Sequence, residues 1–256
     1  RDRSVSRGLG DVYKRQVSKV LNNNGVIAID MDENKEYVIL GKGVGFGKKV
    51  SQRFDKPEGC TTYRLEQETE RGSAKELVKG IEPEYLEIAD AILTESQKVF
   101  GDSIDRGILF PLADHISFAV TRIRRNEQIS NPLTEDIKVL FYSEFKVAET
   151  LKTILRERLQ IEIDDHEVGY VALHIHSAIG DEKVSVAMQT ARAVRECIDM
   201  IEKATGKPID VLSLSYNRLM NHMKYMVARA STGEKLNLDM NEYMLDQYPQ
   251  AYKVAT

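Results

Sequence analysis

The segment Leu112-Ala113-Asp114-His115-Ile116-Ser117-Phe118-Ala119-Val120-Thr121-Arg122 is written over the same frame as Leu219-Met220-Asn221-His222-Met223-Lys224-Tyr225-Met226-Val227-Ala228-Arg229. Of only five histidines in the chain, His115 and His222 hold the same place in this frame, 107 positions apart. That offset is too long for a solenoid unit and fits a duplicated helical domain. Upstream, Gly101-Asp102-Ser103-Ile104-Asp105 is echoed by Gly206-Lys207-Pro208-Ile209-Asp210, so the frame extends ahead of both histidines. The pattern predicts one helical module carried twice, each copy presenting an equivalent histidine.

A chain of 256 residues leaves room for a further small domain beside the two modules. From Val17 to about Arg71 the signals are β. Val26-Ile27-Ala28-Ile29 and Tyr37-Val38-Ile39-Leu40 are short apolar strands, Asn22-Asn23-Asn24-Gly25 supplies a turn, and Asp30-Met31-Asp32-Glu33-Asn34 supplies a second. Residues 1–16 contain Gly, Ser and scattered Arg without period, and are expected to be a non-native leader. Pro57 to Gly72 is polar and linker-like. Helical spacing then takes over: Pro83 near a helix start is followed by Tyr85, Ile88, Ala89, Ile92 and Val99. Further helices are expected over Leu109 to Ile123, from Asn131 through the stripe Ile137, Leu140, Phe141, Phe145, Val147 and Leu151, over Asp165 to Ala178, and over Val184 to Ala204. The expected fold is thus multidomain, a small antiparallel β-sheet or barrel over 17–71 followed by all-α helical bundles over 72–178 and 179–256, the second incomplete.

Charge and cysteine usage exclude several classes. The net charge of −4 argues against a polybasic nucleic-acid binder, although a local basic face would be hidden by that sum. Cys60 and Cys197 lie far apart without metal-ligand spacing, which fits a reducing, cytoplasmic setting with Cys197 in a core and Cys60 in a loop. No run approaches the ~20 apolar residues of a bilayer span. His166, His174 and His176 invite a metal reading, but residues two apart on a helix point different ways and no carboxylate or cysteine completes a set. No nucleophile–base arrangement suggests an enzyme, no cofactor is implied, and the carboxylates are expected on solvated helix faces.

Gly41-Lys42-Gly43-Val44-Gly45-Phe46-Gly47-Lys48-Lys49 resembles a nucleotide loop only superficially. Phe46 and Lys48 stand where the third glycine of the dinucleotide fingerprint belongs, and Lys49 stands where a P-loop needs Ser or Thr. Two readings remain for these residues. One is a twisted hairpin with solvated lysines. The other is a bend open to a ligand backbone, with Phe46 free to stack, Lys42, Lys48 and Lys49 able to meet phosphates, and the Asn22 and Asn24 amides able to read base edges.

Lys19-Val20-Leu21-Asn22-Asn23-Asn24 together with Val38 to Lys49 resembles the co-antiterminator RNA-binding domain of BglG/SacY-type transcriptional antiterminators. Asp114 to Ala119 and Glu167-Val168-Gly169-Tyr170-Val171-Ala172-Leu173-His174-Ile175 resemble the two histidine motifs of that family's first PTS regulation domain, and Leu219 to Arg229 resembles the first motif of the second. The resemblance covers Val17 to Thr256, and the ordered combination of motifs is more specific than any one of them.

That resemblance implies a dimer binding a hairpin in a nascent leader mRNA, so that an overlapping terminator cannot form. Matching RNA-contacting positions are Lys19, Asn22, Asn24, Gly41, Lys42 and Phe46; Lys42 stands where Arg is frequent, keeping the charge without the planar fork. Regulatory phosphorylation sites carry over as His115, His174 and His222, with the general phosphocarrier protein and the sugar permease of the phosphotransferase system as donors, for a β-glucoside or related sugar operon. Arg122, Arg124 and Arg125 follow His115 and are either phosphoryl partners or a solvated face. Alternative expectations are a PTS-regulated DNA-binding activator, which needs a helix-turn-helix ahead of Gly72, and a metal-dependent hydrolase using His166, His174 and His176.

Overall fold

The computed structural model describes residues 15–66, 68–69, 72–127, 129–180, 183–210, 213–234 and 240–255. Most of the expected leader, residues 1–14, lies outside these, while Arg15 and Gln16 already belong to the first strand. The chain divides into two compact units: one holds residues up to 128 and 150–163, the other 129–149 and 164–256.

In the first unit, β1 (Arg15–Asn22), β2 (Gly25–Asp30), β3 (Lys35–Leu40), β4 (Arg53–Phe54) and β5 (Thr61–Arg64) form an antiparallel sheet in the order β4-β1-β2-β3-β5. Alternation directs Val17, Val26, Ala28, Tyr37 and Ile39 into a core with Val44, Phe54 and Cys60. The β2–β3 turn is built by its own side chains: the Asp30 carboxylate accepts from the backbone N–H groups of Asp32 (3.0 Å) and Glu33 (3.3 Å), and Asn34 takes a φ of 53° that asparagine tolerates.

The linker expectation fails at β5. Thr61–Arg64 is a paired strand, not linker, because β-prone residues alternate with Tyr63 inward and Arg64 outward. Cys60 lies in the loop just before β5, as expected, and is buried beside Gly41, where any Cβ would collide with its side chain; Cys197, expected in a core, is only half-buried. A two-stranded ribbon, β6 (Glu68–Thr69) with β7 (Gly72–Ser73), leads into α1 (Ala74–Gly80), whose first turn is closed by the Ser73 hydroxyl accepting from the Glu76 N–H.

Helix α2 (Pro83–Phe100) starts with Pro at its first position and ends at Gly101, where φ is 64°. It buries Tyr85, Leu86, Ile88, Ala89, Ile92 and Leu93, and packs on α3 (Leu109–Arg124). Val99, expected on that stripe, is exposed instead, since the helix outlasts the surface it covers.

The stripe from Ile137 to Leu151 is buried, but not by one helix. The chain makes α4 (Thr134–Leu140), α5 (Tyr142–Ala148) and α6 (Thr150–Leu159), leaving helical geometry at Phe141, where φ is −122° and ψ 47°. That break lies within the second unit, which holds both α4 and α5, whereas Glu149, where the chain passes to α6 of the first unit, keeps right-handed helical backbone (φ −57°, ψ −25°). In the first unit α6 packs on α2.

The second unit continues with α7 (Asp165–Gly180), α8 (Val184–Thr205), α9 (Leu214–Thr232), α10 (Asn241–Gln247) and α11 (Pro249–Ala255). Helix α7 packs on α4 and α5, and α8 ends in a left-handed cap at Gly206. Among the described residues no helix is long and apolar enough to cross a membrane.

Candidate RNA interface and regulatory histidines

The β1–β2 hairpin turns at Asn23-Asn24, and the glycine-rich bend folds back over it. Gly41 N–H donates to the Asn24 carbonyl and Gly45 N–H to the Asn23 carbonyl, both at 2.9 Å, while Gly43 N–H donates to the Asn24 side-chain oxygen at 3.0 Å. Gly45 cannot be replaced cheaply, because a Cβ there would collide with the carbonyl oxygen of Asn22, which is backbone. Asn22 supplies the remaining brace, its side-chain oxygen accepting from Asn24 N–H at 2.8 Å.

Asn22, Asn24, Gly41, Lys42 and Phe46, distant in sequence, therefore form one surface, with Lys19 exposed on β1. Side chains along the bend alternate: Val44 drops into the core at 1% exposure while Phe46 stands out at 74%. An aromatic ring left in water amid glycines and lysines is a platform for a flat ligand. Lys42 and Lys49 are exposed, but Lys48 is laid over the Phe54 ring at 5.0 Å and contributes packing as well as charge.

The expectation of solvated helix carboxylates fails on α2. Glu87 receives the Asn22 amide at Oε1 (2.7 Å) and the Asn24 amide at Oε2 (3.1 Å), and Arg158 of α6 lies 3.8 Å away. One turn further on, Asp90 accepts from the Tyr63 hydroxyl, and Arg106 donates to both Asp90 and Tyr63 at 2.8 Å. Burial pushes the Tyr63 hydroxyl far above its ordinary range, with the Asp90 charge adding to it. Glu87 and Asp90 sit three apart on the polar side of an amphipathic pattern, and nothing in the sequence separates them from solvated neighbours.

The histidines of the repeat differ in surroundings. His115 lies on the buried stripe of α3, in the first unit, at 8% exposure, and His174 on α7, in the second, at 6%. His222 on α9 is exposed, although it holds the frame position of His115. The reason is the thinner cover of α9, which buries Tyr216, Met220 and Met223 but leaves Tyr225 and Met226 exposed. Arg124 and Arg125 are exposed and Arg122 is half-buried.

The proposed metal trio is dispersed by other bonds. His166 Nδ1 lies 2.7 Å from the Thr134 hydroxyl, and His176 Nδ1 lies 2.8 Å from Glu144 with its ring 4.2 Å from Phe141. Burial raises the Glu144 carboxyl, but its hydrogen bond with His176 and the charges around it overturn this and hold it below its ordinary value. No group of three or more His, Cys, Asp or Glu among the described residues is arranged to hold a metal.

Comparison with known proteins accounts for this arrangement. The CAT RNA binding domain matches residues 16–72, and the PRD domain matches residues 90–178 and again 195–256. The "GlcA/glcB genes antiterminator" of Staphylococcus carnosus (strain TM300) is 30% identical over 245 residues, covering 93% of this chain and 84% of the relative. "Transcription antiterminator LicT" of Bacillus subtilis (strain 168) is 25% identical over 237 residues, covering 93% and 85%. Among solved structures, "Crystal structure of GlcT CAT-PRDI" superposes with a TM-score of 0.56 at 29% identity, covering 65% of this chain and 98% of that one. With an RNA-binding sheet ahead of duplicated regulation domains and antiterminators as relatives, the chain belongs to the family of CAT–PRD transcription antiterminators, which are RNA-binding regulators and not enzymes.

Proposed function

We propose that the chain works as a dimer that holds a hairpin in a nascent leader transcript, so that the overlapping terminator does not form, ahead of genes for a β-glucoside or related sugar. The observation that carries this reading is the single surface formed by Asn22, Asn24, the Gly41–Gly45 backbone, Lys42 and the exposed ring of Phe46. It offers stacking, amide donors and phosphate charge, the three means by which unpaired RNA bases are held. Binding of a stem-loop recovered from a randomised RNA library against the full chain is expected to weaken with salt. Lys42→Ala is expected to flatten the slope of log K against log salt by about 0.7 to 0.9 for each phosphate the lysine had neutralised. Identical slopes would remove Lys42 from the interface.

Control is proposed to come from phosphorylation of His115, His174 and His222 by the phosphocarrier protein and the sugar permease. A phosphoryl group adds about −1.5 to −2 charge by analogy with other phosphorylated side chains, enough to reset packing between helices. The exposure of His222 and the burial of His115 and His174 support an order: His222 accepts first, and the other two only when their helices open. Time courses with purified phosphocarrier protein and the alanine variants are expected to lose the fastest phase in His222→Ala. Unchanged incorporation in His115→Ala, His174→Ala and His222→Ala alike would remove phosphohistidine from the mechanism.

A further inference from the structure

We infer that Glu87 is a built-in competitor for the RNA surface, occupying in the RNA-free chain the amide donors of Asn22 and Asn24 that the RNA must take; the inference rests on the RNA-binding reading above. Each asparagine amide has an oxygen that accepts and a nitrogen that donates. Both oxygens are committed to the loop itself, to Asn24 N–H at 2.8 Å and Gly43 N–H at 3.0 Å. Each nitrogen in turn gives one N–H to the same carboxylate, at 2.7 Å and 3.1 Å, so a single side chain competes with RNA for both asparagines.

A carboxylate with two oxygens spaced to meet two donors resembles the non-bridging oxygens of a phosphate and the acceptor edge of a base. Glu87 is well sheltered, its side chain only 20% exposed and fixed in the second turn of α2. It opposes RNA twice, by holding the donors and by placing a negative charge inside a surface meant for a polyanion. Such an internal ligand lowers apparent affinity by the fraction of molecules in which it is released.

The clasp can be released because α2 carries it. The same helix holds β5 through Asp90, Tyr63 and Arg106, and it packs against α3, which bears His115. A movement of α2 against the sheet frees Asn22 and Asn24 together, since both donors share one acceptor residue.

The test uses the full chain and the selected stem-loop with wild type, Glu87→Ala, Glu87→Gln and Phe46→Ala. Glu87→Ala is expected to bind about tenfold tighter, the size of one hydrogen bond to a charged group. Glu87→Gln keeps the volume and one acceptor, and is expected to fall between wild type and Glu87→Ala; it decides the matter if the alanine variant unfolds early. Equal or weaker binding by the Glu87 variants, with wild type binding and Phe46→Ala weakened, overturns the competitor role alone and makes Glu87 a support of the loop. No binding by any variant overturns the RNA reading and the competitor role with it.

Discussion

Phe46→Ala is expected to weaken binding of the RNA stem-loop by about 5- to 150-fold, the range of ~1–3 kcal/mol that follows removal of a stacking aromatic from beneath a base. The ring is 74% exposed, so it contributes little to folding, and the unfolding transition should stay where it is. That separation makes the experiment decisive. A loss of affinity with unchanged stability assigns the ring to the ligand, whereas equal affinity removes the ring from the surface. Asn24→Ala does not separate the two so cleanly. Its backbone carbonyl and side-chain oxygen accept from Gly41 and Gly43, so the substitution also loosens the bend that presents Phe46.

The second large effect concerns stability in the unit that holds α4, α8 and α9. Asp136 is 4% exposed and accepts from the Tyr216 hydroxyl at 3.0 Å, with Arg195 at 3.9 Å and itself held by Asp199 at 2.7 Å. Asp136→Ala leaves a buried tyrosine hydroxyl without that acceptor and is expected to cost about 3 kcal/mol in urea unfolding. Asp136→Asn keeps an oxygen for Tyr216 and removes only the charge.

Burial pushes the Asp136 carboxyl above its ordinary 3.8, against the pull of the Tyr216 hydrogen bond and of Arg195. A carboxyl raised on folding stabilises the fold fully below its unfolded value and loses that contribution as pH rises through its folded value. Wild type should therefore lose stability across that window, while Asp136→Asn stays flatter. Matching pH profiles for the two proteins would show that the buried carboxylate is not the titrating group.

Much of the architecture was legible from pattern. Short apolar runs between turn residues marked β2 and β3, proline marked the start of α2, and the histidine frame marked α3 and α9 as counterparts. What escaped had no local signature. Thr61–Arg64 looked polar because only Tyr63 turns inward, and β5 exists because β3 offers it an edge. The break at Phe141 carries neither proline nor glycine and falls inside one unit, so no local residue signal marked it. Glu87 and Asp90 shared the spacing of solvated carboxylates, and only the sheet laid against α2 separates them from that class.

By itself the sequence determined the class of each module, the turn chemistry of the asparagines and glycines, and the equivalence of His115 and His222, because these depend on residue type and spacing along one element. Tertiary structure decided which equivalent groups are alike in practice. His115 is buried and His222 exposed, and the asparagine amides are already donating to Glu87. Burial and hydrogen-bond partners are set by elements arriving from elsewhere in the chain, so no window of sequence around a residue contains them.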